Sequence, residues 1–238
     1  MKGIIHSIES LAAVDGEGLR CSVFMAGCPL RCAYCHNPDT WVMQGKEVDP
    51  QELANKILRF RPYFGVNGGV TFSGGEPLLQ SAFLRETVSL LEEDSIRYIL
   101  DTSGCVELSD DIVFLLKCAQ GVLLDLKFPD DASYHRYTGK GIQNVLNFLC
   151  KLNELGIKTV IRTVVVPGVN DTFEGMQAYV DLIREFECVS KYELLPFHTM
   201  GFFKYEKLGI ENPFSSKSAL PREKLLSLQE YVDKIKNG

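Results

Sequence analysis

The sequence lacks any uninterrupted apolar run approaching the roughly 18 residues of a membrane-spanning helix. Its start, MKGIIHSIES, has neither a long apolar core nor a small-residue cleavage site, so no signal peptide is expected. No Pro/Ser-rich linker and no abrupt change of charge divides the chain. Positive charge is in the minority, with 25 Lys and Arg against 31 Asp and Glu, for a formal charge of −6. That balance supplies no general attraction to nucleic acid or to an acidic membrane. A secreted disulfide scaffold would be shorter and denser in cysteine than this chain. These absences lead to the expectation of a soluble, cytoplasmic protein that binds neither nucleic acid nor membrane; a monomer is expected, although no feature of the sequence argues for it.

What is present is a chain of 238 residues, 45% of them hydrophobic. A chain of that size buries roughly 70–75% of its unfolded surface in one core, so a single domain over 1–238 is expected. Apolar and aromatic residues occur throughout, which excludes extended disorder.

Segments rich in Val, Ile, Leu, Phe and Tyr predict strands at Arg20–Met25, Gly69–Ser73, Arg97–Thr102, Gly121–Lys127, Thr159–Val165 and Lys191–Leu195. Between and after them, apolar periodicity predicts helices at Pro50–Phe60, Ala82–Glu92, Asp110–Lys117, Ile142–Leu155, Phe173–Glu185 and Arg222–Ile235. In the fourth, Val145, Leu146, Leu149, Leu152 and Leu155 form one amphipathic face. Six such alternations predict a parallel sheet with helices outside it. VLLDL, apolar except for its aspartate, suits a strand covered on both faces.

The functional-looking residues help to choose the architecture. Gly74, Gly75 and Glu76 follow one strand; Asp101–Thr102 and Asp125–Lys127 end two others; Arg162 lies on the fifth and His198 follows the sixth. In parallel β/α folds such strand ends converge on one rim. The expected fold is therefore α/β, a partial (β/α)6 TIM-like barrel with parallel strands and outer helices.

The eight cysteines are unevenly placed. Cys28, Cys32 and Cys35 form a CxxxCxxC group in a loop after the first predicted strand, while Cys21, Cys105, Cys118, Cys150 and Cys188 are scattered. Thiolates so close together suit an iron–sulfur or zinc centre. Three cysteines on a 4Fe–4S cube would leave one iron for another ligand, whereas a zinc knot would recruit His36 as fourth ligand. His36 directly follows Cys35, a poor spacing for paired zinc ligands. Unligated core cysteines are the third alternative, and most of the scattered five are expected to pack as small apolar side chains.

Gly74-Gly75-Glu76-Pro77 reads as an ordinary strand-to-helix turn or as a loop pressed against a ligand, since glycine permits close approach. Neither a Rossmann GxGxxG nor a Walker fingerprint is present. Asp125 and Lys127 should share one face of a strand, and a buried charge there needs a partner or a ligand. Arg162 could close an ion pair, or its forked donors could bind a carboxylate or ribose.

CxxxCxxC followed by GVTFSGGEP resembles the radical S-adenosylmethionine superfamily. The resemblance implies that Cys28, Cys32 and Cys35 hold a 4Fe–4S cluster with one iron not ligated by cysteine. The amine and carboxylate of S-adenosylmethionine would occupy that iron. It also implies cofactor-binding roles for Tyr34, Gly74, Gly75, Glu76, Thr102, Lys127, Arg162 and His198. Asp101 and Asp125, in DTSG and LLDLK, would hold a monovalent cation beside the cofactor carboxylate.

VDGEGLR, CPLRCAYCHNPDTW, SGGEPLLQ, YTG, RTVVVPGVND and LLPFHTMGFFKYEKLG narrow the resemblance to the activating enzymes of glycyl-radical enzymes, and most closely to those of pyruvate formate-lyase. It covers nearly the whole chain. Glu17 departs from the family phrase, which has proline there and so a fixed φ. No cysteine lies between Cys35 and Gly74, which excludes the inserted ferredoxin-like domain of several other activators. The family function is removal of a hydrogen from one glycine of a partner enzyme, with the electron supplied by reduced flavodoxin or ferredoxin. Asp15 and His36 resemble residues near the incoming glycine loop. Activation of another glycyl-radical enzyme is the nearest alternative. An iron–sulfur electron-transfer module or a zinc-containing interaction protein is the alternative of another class.

Overall fold

The structure is a computed structural model describing residues 1–237; Gly238, the last residue of the expected domain, lies outside the described residues. The chain opens with β1 (Gly3–Ala12), β2 (Arg20–Met25), β3 (Lys46–Val48) and α1 (Pro50–Leu58). It continues through β4 (Gly69–Gly74), α2 (Ser81–Glu93), β5 (Tyr98–Thr102), α3 (Asp110–Cys118) and β6 (Gly121–Asp125). Then follow α4 (Asp131–Thr138), α5 (Gln143–Glu154), β7 (Thr159–Val165), α6 (Phe173–Ile183), β8 (Val189–Pro196), α7 (Phe202–Leu208) and α8 (Arg222–Asn237). The strands make one mixed sheet in the order β3-β1-β2-β4-β5-β6-β7-β8, flanked by helices, which is the partial (β/α)6 barrel arrangement. None of the described helices is long and apolar enough to cross a membrane.

All six predicted strands and all six predicted helices are present, with ends moved by a few residues. The additions are β1, β3, α4 and α7. β1 runs antiparallel to β2 and to β3, so the expected parallel sheet becomes a mixed one. It is buried at Gly3, Ile5 and Ala12, exposed at Ser7, Glu9 and Leu11, and half-buried between. Its apolar residues, Ile4, Ile5, Ile8, Leu11 and Ala12, follow no two-residue period, so the strand carries little of the signal that marks one.

The chain groups into two compact units, Met1–Pro29 with Thr40–Leu123, and Leu30–Asp39 with Leu124–Gly238. In the first, β2 pairs in parallel with β4, from Arg20 opposite Gly69 to Met25 opposite Gly74, and β4 pairs in parallel with β5. Cys21, Val23, Met25, Val70, Phe72 and Leu100 are completely buried in these strands. α1 starts where Asp49 accepts a 2.7 Å hydrogen bond from the Glu52 N–H, with Pro50 as the first helical residue. Such a cap satisfies a donor that the helix itself leaves open, and Pro suits that position.

In the second unit β7 pairs in parallel with β8. The inner face of α5 is Val145, Phe148, Leu149 and Leu152; Phe148 is fully buried while Leu146 and Leu155 are only half-buried. The bulkier aromatic ring turns the buried stripe toward its own side. Asp130 caps α4 by accepting from the Ser133 N–H at 2.8 Å, which starts a helix too polar to betray itself by periodicity. Of the scattered cysteines, Cys21, Cys105 and Cys188 are buried as expected, but Cys118 and Cys150 are exposed at the helix surface.

Candidate active site

In the first unit the predicted residues lie at the ends of β4 and β5 and on the loops that follow β1, β2 and β4. Gly74 closes β4 with φ +111°, a conformation costly for any residue with a Cβ. A Cβ at Gly75 would stand 2.1 Å from the Gly27 carbonyl oxygen. The Gly75 N–H donates to the Met25 carbonyl at 2.9 Å and the Glu76 N–H to that of Gly27 at 2.8 Å. The GG pair is thus pressed against the strand end that leads directly to Cys28.

Glu76 is completely buried, and burial pushes its carboxyl up, opposed by hydrogen bonds from Ser103, Thr102 and the Leu78 backbone. Oε1 accepts from the Thr102 hydroxyl at 2.7 Å and the Leu78 N–H at 3.2 Å. Oε2 accepts from the Ser103 N–H at 2.9 Å and its hydroxyl at 2.5 Å. Glu76 and Thr102, both expected to bind cofactor, are thereby joined in a lock between the loops after β4 and β5. Asp101 accepts from the Ser73 hydroxyl at 2.6 Å. Ser73 and Ser103 were not singled out in the sequence, although both stand inside the SGGEP and DTSG phrases.

Each Glu76 oxygen accepts from one backbone N–H, which can never accept in return. In Glu76→Gln, either placement of the amide therefore aims an N–H at a donor. The expected cost is about 2 kcal/mol, seen as a fall of about 4–8 °C in Tm for a chain of this size. An unchanged melting curve would contradict the lock.

In the second unit, Asp125 ends β6 and binds two cations. Its Oδ2 accepts from Lys127 Nζ at 2.6 Å, and Oδ1 accepts from Arg162 Nε at 3.1 Å and Nη2 at 3.0 Å. Arg162, on β7, does close an ion pair. Burial alone would raise the Asp125 carboxyl, but Lys127 and then Arg162 hold it down to about 2. For Lys127, burial works against the charge and is outweighed by Asp125 and Cys32, which push the ammonium above its ordinary range.

The segment Leu30–Asp39 carries Cys32, Tyr34, Cys35 and His36. The Arg31 and Ala33 N–H groups donate to the Thr138 and Tyr137 carbonyls, both at 2.8 Å, so the YTG phrase fixes one flank of this segment. The other flank is held by α7. Tyr205 donates its hydroxyl to the Cys35 carbonyl at 2.8 Å, and Lys204 Nζ reaches Asn37 at 2.5 Å and Asp39 at 3.0 Å. Gly201 allows this approach, because a Cβ there would lie 2.4 Å from the His36 carbonyl oxygen. Lys204 and Tyr205 escaped the sequence reading; their only signal is the phrase FFKYEKLG.

His36 and His198 meet edge to face with ring centroids 5.1 Å apart. Burial, then the neighbouring His198, Lys127 and Lys204, lowers His36 to about 4, so its imidazole is neutral at neutral pH. The Tyr34 hydroxyl and His198 Nδ1 are buried with no hydrogen-bond partner. Buried polar atoms are nearly always satisfied, so orphans of this kind fit a polar ligand. No disulfide joins any of the eight cysteines. Among the described residues no three His, Cys, Asp or Glu side chains are gathered as a group able to hold a metal ion. Cys28 belongs to the first unit, and Cys32 and Cys35 to the second. By chemistry the Cys32 and Cys35 thiols suit iron–sulfur ligation, and the orphaned Tyr34 hydroxyl and His198 Nδ1 of the same unit suit a polar ligand.

Residues 22–180 match the Radical SAM superfamily. Over 235 residues the chain is 45% identical to the pyruvate formate-lyase-activating enzyme of Clostridium pasteurianum, covering 98% of each chain. The enzyme of the same name from Staphylococcus aureus strain USA300 is 41% identical over 243 residues, covering 98% of this chain and 96% of that one. Among solved structures, Streptococcus suis SuiB bound to precursor peptide SuiA aligns with a TM-score of 0.69. At 18% identity, over 89% of this chain and 44% of that one, the likeness is one of fold.

Proposed function

Because this chain belongs to the radical SAM superfamily and, within it, to the pyruvate formate-lyase-activating enzymes, we propose that it is the activase of a pyruvate formate-lyase. It cleaves S-adenosylmethionine reductively and removes a hydrogen from one glycine of that partner, generating its glycyl radical. The observation that carries this reading is 45% identity over 98% of both chains. An iron–sulfur cluster and S-adenosylmethionine are the cofactors of the family.

The finer assignments follow from the motifs. Cys28, Cys32 and Cys35 would bind three irons of a 4Fe–4S cluster and leave the fourth for S-adenosylmethionine. When bound, these groups supply one-electron cleavage of the sulfonium and the hydrogen-abstracting adenosyl radical. The chain's residues orient the cofactor. Gly74 and Gly75 offer backbone to its methionyl end, with Glu76 and Thr102 fixing that loop. Tyr34, His198, Lys127 and Arg162 face it with polar atoms, two of which are buried without protein partners. Asp101 and Asp125 would hold the monovalent cation, Asp125 sharing its carboxylate with Lys127 and Arg162. Asp15 and His36 orient the glycine loop; a neutral His36 suits a hydrogen-bonding rather than an ion-pairing role. Reduced flavodoxin or ferredoxin supplies the electron, and residues 1–238 act as one domain and one monomer.

The test is anaerobic reconstitution with iron and sulfide, then addition of dithionite, S-adenosylmethionine and pyruvate formate-lyase. Formation of 5′-deoxyadenosine together with a glycyl electron paramagnetic resonance signal is expected. Cofactor cleavage without that signal refutes the target, and no cleavage by an intact cluster refutes the enzyme.

A further inference from the structure

Arg20 is completely buried, and each of its three nitrogens donates to oxygen atoms of uncharged groups. Its Nε donates to Thr71 Oγ1 at 2.8 Å and Nη2 to the Val70 carbonyl at 2.7 Å. Nη1 donates to the Glu17 carbonyl at 2.9 Å, the Asn67 carbonyl at 3.2 Å and Gln120 Oε1 at 3.5 Å. No carboxylate bonds it among the described residues. Burial, and next the charge of Arg97, lowers the guanidinium to about 10. A buried cation without an ion pair is an expensive way to stabilise a strand, since well-packed apolar residues do it better. Its hydrogen bonds point to what it is for.

One of them leads, through Thr71, to Asp15. Thr71 Oγ1 accepts from Arg20 and donates onward to the Asp15 carbonyl at 2.7 Å. Ser22 Oγ donates to Asp15 Oδ2 at 2.6 Å. Ser22 and Thr71 are direct partners in the parallel register of β2 and β4, so two neighbouring strands grip Asp15 by main chain and side chain. The grip on the Glu17 carbonyl closes the same turn two residues further on. Asp15 itself is half-buried, and Oδ1 keeps no hydrogen-bond partner among the described residues.

We propose that Arg20, Thr71 and Ser22 are positioning residues that hold the Asp15 carboxylate as an acceptor for main-chain N–H groups of the incoming glycine segment. This rests on the reading of Asp15 as a residue that contacts that segment. A carboxylate with one oxygen anchored and the other open is preorganised to receive an N–H without first losing its own freedom. The glycine segment, having almost no side chain at its centre, offers mainly such backbone donors.

The experiment measures glycyl-radical formation in the reconstituted enzyme as a function of the concentration of a peptide carrying the glycine loop. Ser22→Ala and Thr71→Val should each raise KM for the peptide about fivefold, the worth of one hydrogen bond. Values of kcat should stay within about twofold, the pattern of lost ground-state binding. Thr71→Ser keeps the hydroxyl and should restore the wild-type KM. Ser22→Ala removes one oxygen atom only and carries the test if Thr71→Val fails to fold. Asp15→Asn separates the two claims. If it raises KM while Ser22→Ala and Thr71→Val do not, the positioning role is refuted and the role of Asp15 stands. If Asp15→Asn leaves KM unchanged, both fall.

Discussion

Alanine at Cys28, Cys32 or Cys35 should leave the reconstituted protein without a stable iron–sulfur chromophore and without cleavage of S-adenosylmethionine. A cluster held by these three thiolates alone would have none to spare. Loss of an outer-shell partner alone typically lowers metal affinity or activity about 10–100-fold, so loss of a thiolate should exceed that range. Iron and sulfide content, visible absorption and 5′-deoxyadenosine yield measure it directly. Cys150→Ala, at an exposed helix position, should change none of these. His36→Gln is the informative contrast. Cluster content should survive it, whereas a Cys3His zinc knot would lose its metal as completely as with cysteine replacement. A normal cluster in all three cysteine variants would overturn the ligand assignment.

The second large effect is expected at Asp125. Its carboxylate stands between Lys127 and Arg162, whose side chains are only 13% and 10% exposed. Asp125→Asn removes the carboxylate that both cations bond, and breaking a buried pair of this kind costs about 3–5 kcal/mol. Because the Asp125 side chain retains 23% exposure, the lower end applies, about 3 kcal/mol. That corresponds to a fall of about 6–12 °C in Tm. Affinity for S-adenosylmethionine should fall as well, since Lys127 and Arg162 lose the group that orients them. Thermal unfolding and anaerobic titration calorimetry separate the two consequences. Adding Arg162→Met to Asp125→Asn should recover part of the stability but none of the affinity, because it removes a charge that has lost its Asp125 contacts and a donor together. A Tm unchanged by Asp125→Asn would mean that Lys127 and Arg162 are compensated elsewhere.

Much of this molecule could be read without coordinates. β2 and β7 begin and end where their apolar runs do, and the other four predicted strands differ by one or two residues at an end. Before their terminal polar residues, β5 and β6 are continuous runs of apolar residues and glycine, as burial on both faces demands. β3 has three residues and pairs only with β1, too short a stretch to carry a period. α4 and α7 owe their existence to a cap and to side-chain contacts, neither of which produces an apolar stripe.

At the site, the division follows distance along the chain. The cysteine spacing, the GG pair, the positions of Asp101, Asp125 and His198 at or after strand ends and that of Arg162 within a strand are local facts. Residue order alone displays them. Partnerships are not local: Thr102 and Ser103 reach Glu76 across 26 and 27 residues, Arg162 reaches Asp125 across 37, and Tyr205 reaches Cys35 across 170. Each depends on strand order and register, which bring side chains together only once the sheet has formed. The sequence by itself therefore determined the chemistry, through thiols, glycines and charges at characteristic spacings. The tertiary structure alone decided which of those groups are already satisfied, as Glu76 is, and which stay buried and open, as the Tyr34 hydroxyl and His198 Nδ1 do. Hydrogen-bond satisfaction is a property of position in space, and no spacing in a chain specifies it.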